Sequence, residues 1–224
     1  FPDLDGIQLA IFGVNEGRRS GHNQACSHAP DEVRKHLFKL YAGAFNPKIV
    51  DLGNIFPGHS EDDTYFAMAA TLDTLLKKGI TAIIIGGGHD LTYGQFRGYE
   101  KLEQTINVAT IDSKFDLGNP DDELNSNSFL GKIILHQPNY LFNYSNIGYQ
   151  TYLVDQSQLN MMNKLYFDVY RLGTIRDNIP EAEPIIRHAD FLSFDMSSIK
   201  LSDAPANCAA SANGFYAEEA CQMM

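Results

Sequence analysis

The chain of 224 residues carries 17 Lys and Arg against 28 Asp and Glu, a formal net charge of −11, with 44% hydrophobic and 20% charged residues. This composition supports a sizeable buried core and a single large domain over residues 1–224. The acidic balance opposes the counterion release on which binding to a polyphosphate depends, so nucleic acid is excluded as the expected partner. No apolar run approaches the roughly 20 residues that span a bilayer, and the opening FPDLDG has neither a basic nor an apolar leader region. No membrane partner is therefore expected, and the simplest location is cytoplasmic.

Cys26, Cys208 and Cys221 are isolated thiols without CxxC spacing, which suits a reducing compartment and predicts no disulfide framework. The chain opens without Met and stops at CQMM inside a helical pattern, so we expect a longer polypeptide with further residues beyond Met224.

In chain order, runs rich in β-branched residues predict strands over 7–14 (IQLAIFGV), 48–53 (KIVDLG), 80–87 (ITAIIIGG), 106–112 (INVATID), 145–149 (SNIGY), 167–173 (FDVYRLG) and 191–196 (FLSFDM). Several are continuously hydrophobic, as strands covered on both faces are. Between the first two, residues 29–41 begin with Pro30 and two acids and place Val33, Leu37, Leu40 and Tyr41 on one helical face. Residues 61–79 carry acids in the first turn, lysines in the last and Gly79 as a stop, the charge order that complements a helix dipole. Residues 118–143, rich in Asn, Asp, Ser and Pro, read as a long loop with one helical turn near 130–135. Strand and helix alternate throughout, which predicts an α/β fold of three αβα layers around a mainly parallel sheet.

In such sheets ligands bind beyond the carboxyl ends of the strands. Three strands here close on groups that bind metals. One runs into Gly86, Gly87, Gly88, His89 and Asp90, a second into Asp112, Ser113, Lys114, Phe115 and Asp116, and a third into Asp195, Met196, Ser197 and Ser198. Taken singly, a glycine triplet is most often a tight turn and an Asp at a strand end a helix cap or turn former. Taken together, carboxylates that converge to about 4 Å repel by about 4 kcal/mol per pair at an effective dielectric of about 20, and a cation relieves that repulsion.

These blocks resemble the ureohydrolase superfamily of arginases, agmatinases and formimidoylglutamases. GGGHD (86–90) is similar to its Gly-Gly-x-His block, DSKFD (112–116) to its Asp-Ala-His-x-Asp block, and SFDMSSIKLSDAPA (193–206) to its Ser-x-Asp-x-Asp segment. GFYAEEA (214–220) is similar to the segment whose glutamate faces the substrate's amidine or guanidine group, which falls on Glu219. The resemblance implies an arginase-like fold whose sheet has a further strand beyond the end of this chain. It also implies assembly as a homo-oligomer, and Mn²⁺ held by histidines and aspartates around a hydroxide that attacks a C=N carbon.

Two positions depart from the pattern. Lys114 stands where the second histidine belongs and Ser197 where the fourth aspartate belongs, and in the family both serve one of the two metals. The ligands of the other metal remain as His89, Asp112, Asp116 and Asp195. The exchange conserves charge, because three carboxylates, one divalent ion and one ammonium sum to zero, as four carboxylates and two divalent ions do. We therefore expect at most one divalent ion, Mn²⁺ by resemblance, with the Lys114 ammonium paired to Asp112 or Asp195 in place of the lost one.

The implied function is hydrolysis of a C–N bond in a linear amidine, formimidoylglutamase-like, on a small amidine or guanidine substrate. Asp116 is the expected proton acceptor, Glu219 the clamp on the substrate's cation, and Arg18, in the polar loop after the first strand, a candidate for substrate carboxylates. An ammonium beside the metal disfavours arginine and agmatine and suits an amidine that bears carboxylates. The alternative is a non-catalytic relative that keeps the fold as a binding or structural subunit, with activity reduced or lost through Lys114 and Ser197.

Overall fold

The β-branched runs pair as parallel strands, the arrangement that segments covered on both faces favour. The computed structural model describes residues 2–44 and 47–224. It divides into two units, Phe1–Gln104 with Asp122–Phe129, and Thr105–Asp121 with Leu130–Met224. The fold class is α/β, parallel sheets with flanking helices, as expected.

In the first unit, strand β1 (Leu9–Val14) lies between β2 (Ile49–Ile55) and β3 (Thr81–Ile85), parallel to both. Helix α2 (Glu61–Lys77) starts on a capping box: the Asp63 N–H donates to Ser60 Oγ at 3.2 Å and the Ser60 N–H to Asp63 Oδ2 at 2.8 Å. It buries Tyr65, Met68, Leu72 and Leu75 in a core shared with Phe12 and Val14. Each such side chain contributes roughly 1.5–3 kcal/mol on burial. Helix α3 (Leu91–Tyr99) comes close to α2 because Gly98 stands where a Cβ would meet the Leu72 side chain at 2.7 Å.

Helix α1 differs from its expected form. It covers Ala29–Leu37 rather than 29–41, and Leu40 (72%) and Tyr41 (99%) are exposed instead of forming an inward face. Charge decides its packing. The Arg34 guanidinium donates to Asp51 Oδ2 at 2.7 Å, to Asp51 Oδ1 at 2.9 Å and to the Gly53 carbonyl at 2.8 Å, which turns the Arg34 side of the helix to β2. The 3.6-residue period marks an apolar stripe but not which side the rest of the fold will cover.

The second unit holds a four-stranded parallel sheet in the order β6 (Asp168–Arg171), β5 (Leu141–Tyr149), β4 (Ile106–Ile111), β7 (Phe191–Phe194). The helical turn expected near residue 130 is helix α4 (Phe129–Leu135), and β5 begins at Leu141, inside the stretch read as loop. The first half of β5 follows closely on the polar run HQPN and leaves Phe142 exposed, so it does not stand out from the loop before it. Strand β6 stops at Arg171, so the last residues of the run FDVYRLG (167–173), Leu172 and Gly173, open a helix instead. Four helices follow β5: α5 (Gln156–Lys164), α6 (Leu172–Asp177), α7 (Ala182–Arg187) and α8 (Ala217–Met223). The core joins Ile111, Ile147, Leu172, Ile175, Phe215 and Met223. The three cysteines are free thiols, as expected. Among the described residues no helix is long and apolar enough to cross a membrane.

Candidate metal centre

Strand β4 delivers Asp112 and β7 delivers Asp195, and the two strands are adjacent in one sheet. Both residues still belong to the ladder, with the Asp112 N–H on the Ile147 carbonyl at 3.0 Å and the Asp195 N–H on the Ile111 carbonyl at 2.9 Å. Each then turns the chain with its own carboxylate. Asp112 Oδ1 accepts from the Lys114 N–H at 3.1 Å, and Asp195 Oδ1 from the Ser197 N–H at 2.7 Å, two Asx turns at the ends of neighbouring strands. The first turn carries the chain on to Asp116, whose φ of 48° is in the left-handed region that Asp tolerates better than most side chains.

The result is convergence. Asp112, Asp116 and Asp195 each offer a carboxylate oxygen, and these oxygens lie within 4.8 Å of one another. Asp112 and Asp116 are buried. At that separation each pair repels by roughly 3.5 kcal/mol at an effective dielectric of about 20, so the trio calls for a cation or a proton. An all-oxygen face of this kind suits a divalent ion such as Mn²⁺.

The positions that depart from the family pattern sit on the same turns. Ser197 Oγ donates to Asp112 Oδ1 at 3.3 Å, and the hydroxyls of Ser113 and Ser197 are 3.5 Å apart, all buried. Lys114 acts through its backbone, its N–H on Asp112 and its carbonyl accepting from Asn146 Nδ2 at 2.8 Å. Two serine hydroxyls and a backbone N–H gather on Asp112 Oδ1. Beneath the turn, Asn146 also donates to Thr110 Oγ1 at 3.2 Å, and Thr110 bonds the Tyr144 hydroxyl at 2.5 Å. Burial pushes the Tyr144 phenol up, so it stays neutral.

In the first unit, β3 runs into the glycine turn that carries His89. The close approach of the backbone explains the triplet: a Cβ on Gly87 would collide with the Glu16 carbonyl oxygen, and one on Gly88 with the side chains of Asp90 and Ser20. The His89 N–H donates to Ser126 Oγ at 3.1 Å, and its ring packs on Phe129 with centroids 4.4 Å apart. Asp90, fully buried, accepts from the Tyr65 hydroxyl at 2.6 Å and from Ser126 Oγ at 3.0 Å. Burial raises the Asp90 carboxyl, and these two donors only partly offset it. Asp90, Tyr65 and Ser126 thus brace the histidine turn; only Asp90, beside His89 in GGGHD, carried any hint of this in the sequence.

Arg18 is already engaged. Its Nη2 donates to the buried Glu16 carboxylate at 2.6 Å and its Nε at 3.0 Å, and it also reaches the Gly58 and His59 carbonyls. Burial alone would raise the Glu16 carboxyl, but Arg18 and Thr64 outweigh it and the net shift is downward. Arg18 thereby anchors the loop after β1 through Glu16. In the second unit Glu219, expected to clamp a substrate, is held by Arg176 from α6, with Nε···Oε1 at 2.9 Å.

The arginase-family model matches residues 7–224. The chain belongs to the arginase family. Its relatives in that family include the formimidoylglutamase of Hahella chejuensis, 26% identical over 223 residues, which cover 92% of this chain and 66% of the relative. The formimidoylglutamase of Lysinibacillus sphaericus is 26% identical over 156 residues, 67% of this chain and 48% of the relative. The chain thus spans about half to two thirds of the length of these curated relatives. Among solved structures, Trypanosoma cruzi formiminoglutamase with Mn²⁺ superposes with a TM-score of 0.87 at 19% identity, covering 100% of this chain and 81% of that one. The agmatine ureohydrolase of Thermoplasma volcanium gives a TM-score of 0.77 at 16% identity, covering 99% and 78%. The arginase-like fold follows from both.

Proposed function

We propose that this member of the arginase family is a hydrolase of the ureohydrolase type that cleaves a C–N bond in a linear amidine, formimidoylglutamase-like, with at most one divalent ion. The supporting observation is the convergence of the Asp112, Asp116 and Asp195 oxygens to within 4.8 Å, at the ends of a turn and a strand whose sequence blocks match the family's ligand blocks. These three carboxylates would hold the ion, Mn²⁺ by likeness to the relatives, with His89 as the nitrogen ligand. Once bound, the ion supplies Lewis-acid chemistry that polarises a water or a C=N group. Asp116 accepts and passes on the proton released as water adds to the amidine carbon, and Glu219 receives the substrate's cationic group. The acidic chain is read as a cytoplasmic homo-oligomer acting on a small molecule.

A second reading has its own support. Glu219 is engaged by Arg176, and the Ser113 and Ser197 hydroxyls lie on Asp112 Oδ1, as in a relative that has kept the fold without the reaction. Metal content of protein purified with Mn²⁺ supplied, together with assays on formiminoglutamate, agmatine and arginine, separates the two. About one ion per chain with turnover of formiminoglutamate supports the enzyme. Neither metal nor turnover supports the binding subunit.

A further inference from the structure

Glu219 meets a cation of its own chain in a geometry that substrates of this chemistry would have to copy. Arg176 Nε donates to Glu219 Oε1 at 2.9 Å and Oε2 at 3.2 Å, while Nη2 donates to Oε2 at 3.1 Å and to the Gly214 carbonyl at 2.5 Å. The Tyr216 N–H adds a bond to Oε2 at 2.8 Å. The Glu219 side chain is 14% exposed and that of Arg176 31%, so the carboxylate is nearly enclosed while its partner keeps a face to solvent. The guanidinium also stands over the Tyr216 ring, 5.2 Å from its centroid, and the Lys200 ammonium lies 3.7 Å from the same centroid. Two cations therefore flank one aromatic ring, and one of them, Arg176, also holds the Glu219 carboxylate.

An amidinium or guanidinium ligand recognises a carboxylate through two parallel N–H donors, the contact that Arg176 already makes. A substrate with only a cationic end must evict Arg176 and leave a half-buried guanidinium without its anion. A substrate that brings an amidinium together with a carboxylate can exchange partners instead, its amidinium taking Glu219 and its carboxylate taking the released Arg176, so that no charge is stranded. We infer that Arg176 is a specificity-determining residue that selects amidines bearing carboxylates over agmatine-like cations by this exchange. The inference rests on Glu219 as the substrate's cation seat, as proposed above.

The test uses the full chain supplied with Mn²⁺, with N-formimino-L-glutamate and agmatine as probes and the variants Arg176→Gln and Arg176→Lys. The ratio of kcat/KM for formiminoglutamate over agmatine should fall about tenfold or more in Arg176→Gln, with Arg176→Lys in between because it keeps the charge but loses the fork. A folded Arg176→Gln whose ratio stays within about twofold of the parent's overturns the inference and leaves the ion pair as a tether of α6 to α8. If Arg176→Gln does not fold, Arg176→Lys decides in the same way, an unchanged ratio counting against. If the parent neither binds Mn²⁺ nor turns over, the enzyme reading fails separately. Calorimetry then decides on agmatine alone, with binding about tenfold tighter to Arg176→Gln supporting the exchange and equal binding refuting it.

Discussion

Ser197 Oγ donates to Asp112 Oδ1 at 3.3 Å, joining the ends of two adjacent strands by a hydroxyl at the position where the family pattern has a carboxylate. Restoring that carboxylate together with the missing imidazole, in the double change Lys114→His with Ser197→Asp, should raise bound Mn²⁺ from about one toward two per chain, as a second ligand set is rebuilt. Elemental analysis of the purified protein checks it. Unchanged occupancy would show that these two positions are not what limits the metal count.

Relief of the repulsion among Asp112, Asp116 and Asp195 should be visible as stability. Mn²⁺ at about 100 times its Kd should stabilise the fold by about 2.7 kcal/mol, which for a chain of this length raises Tm by roughly 5–10 °C. Asp195→Asn should abolish most of that increment, since it removes a ligand oxygen and a charge. Thermal melts with and without the ion provide the measurement; equal increments in both proteins would disprove a role for Asp195.

The Glu16 carboxyl is held below its ordinary value of 4.5 by Arg18 and Thr64 against the opposing effect of burial. A lowered pKa in the folded state means that the unfolded chain takes up the proton first, so this contribution is present above about pH 4.5 and is lost as pH falls through the folded value. Arg18→Met should cost about 1–3 kcal/mol at neutral pH, toward the lower end because Arg18 is partly exposed and screened. It should also flatten the stability curve below pH 4.5. Denaturant titrations of both proteins at pH 3.5, 4.5 and 7 test this, and parallel curves would count against it.

Gly87→Ala places a methyl against the Glu16 carbonyl oxygen. Overpacking against backbone costs about 1–3 kcal/mol, and because the displaced turn carries His89 the variant should also bind Mn²⁺ more weakly. A variant with parental Tm and metal affinity would show that the turn has slack.

The three converging carboxylates were legible because their chemistry is local. A strand that ends in Asp and turns on that same carboxylate carries its geometry in a five-residue block, as DSKFD does. Helix α2 was equally plain, its capping acids and terminal lysine standing in sequence order. What escaped depended on partners far along the chain. Arg176 and Glu219 are separated by 43 residues, and nothing in the LGTIRD segment announces an ion pair. The Arg18 bond to Glu16 is close in sequence, yet the demand of that carboxylate exists only once the fold has buried it. The Arg34 bond to Asp51 likewise overrode an apolar stripe that periodicity alone would have turned inward.

Strand β4 is flanked by β5 on one side and β7 on the other, and the turn bearing Asp112 and Asp116 is its direct continuation. Amides in such an interior strand exchange with solvent only through the rarest, most extensive openings of a protein. Prising apart Asp112 and Asp195 therefore means dismantling the middle of the sheet, so their spacing is as durable as the ladder that sets it.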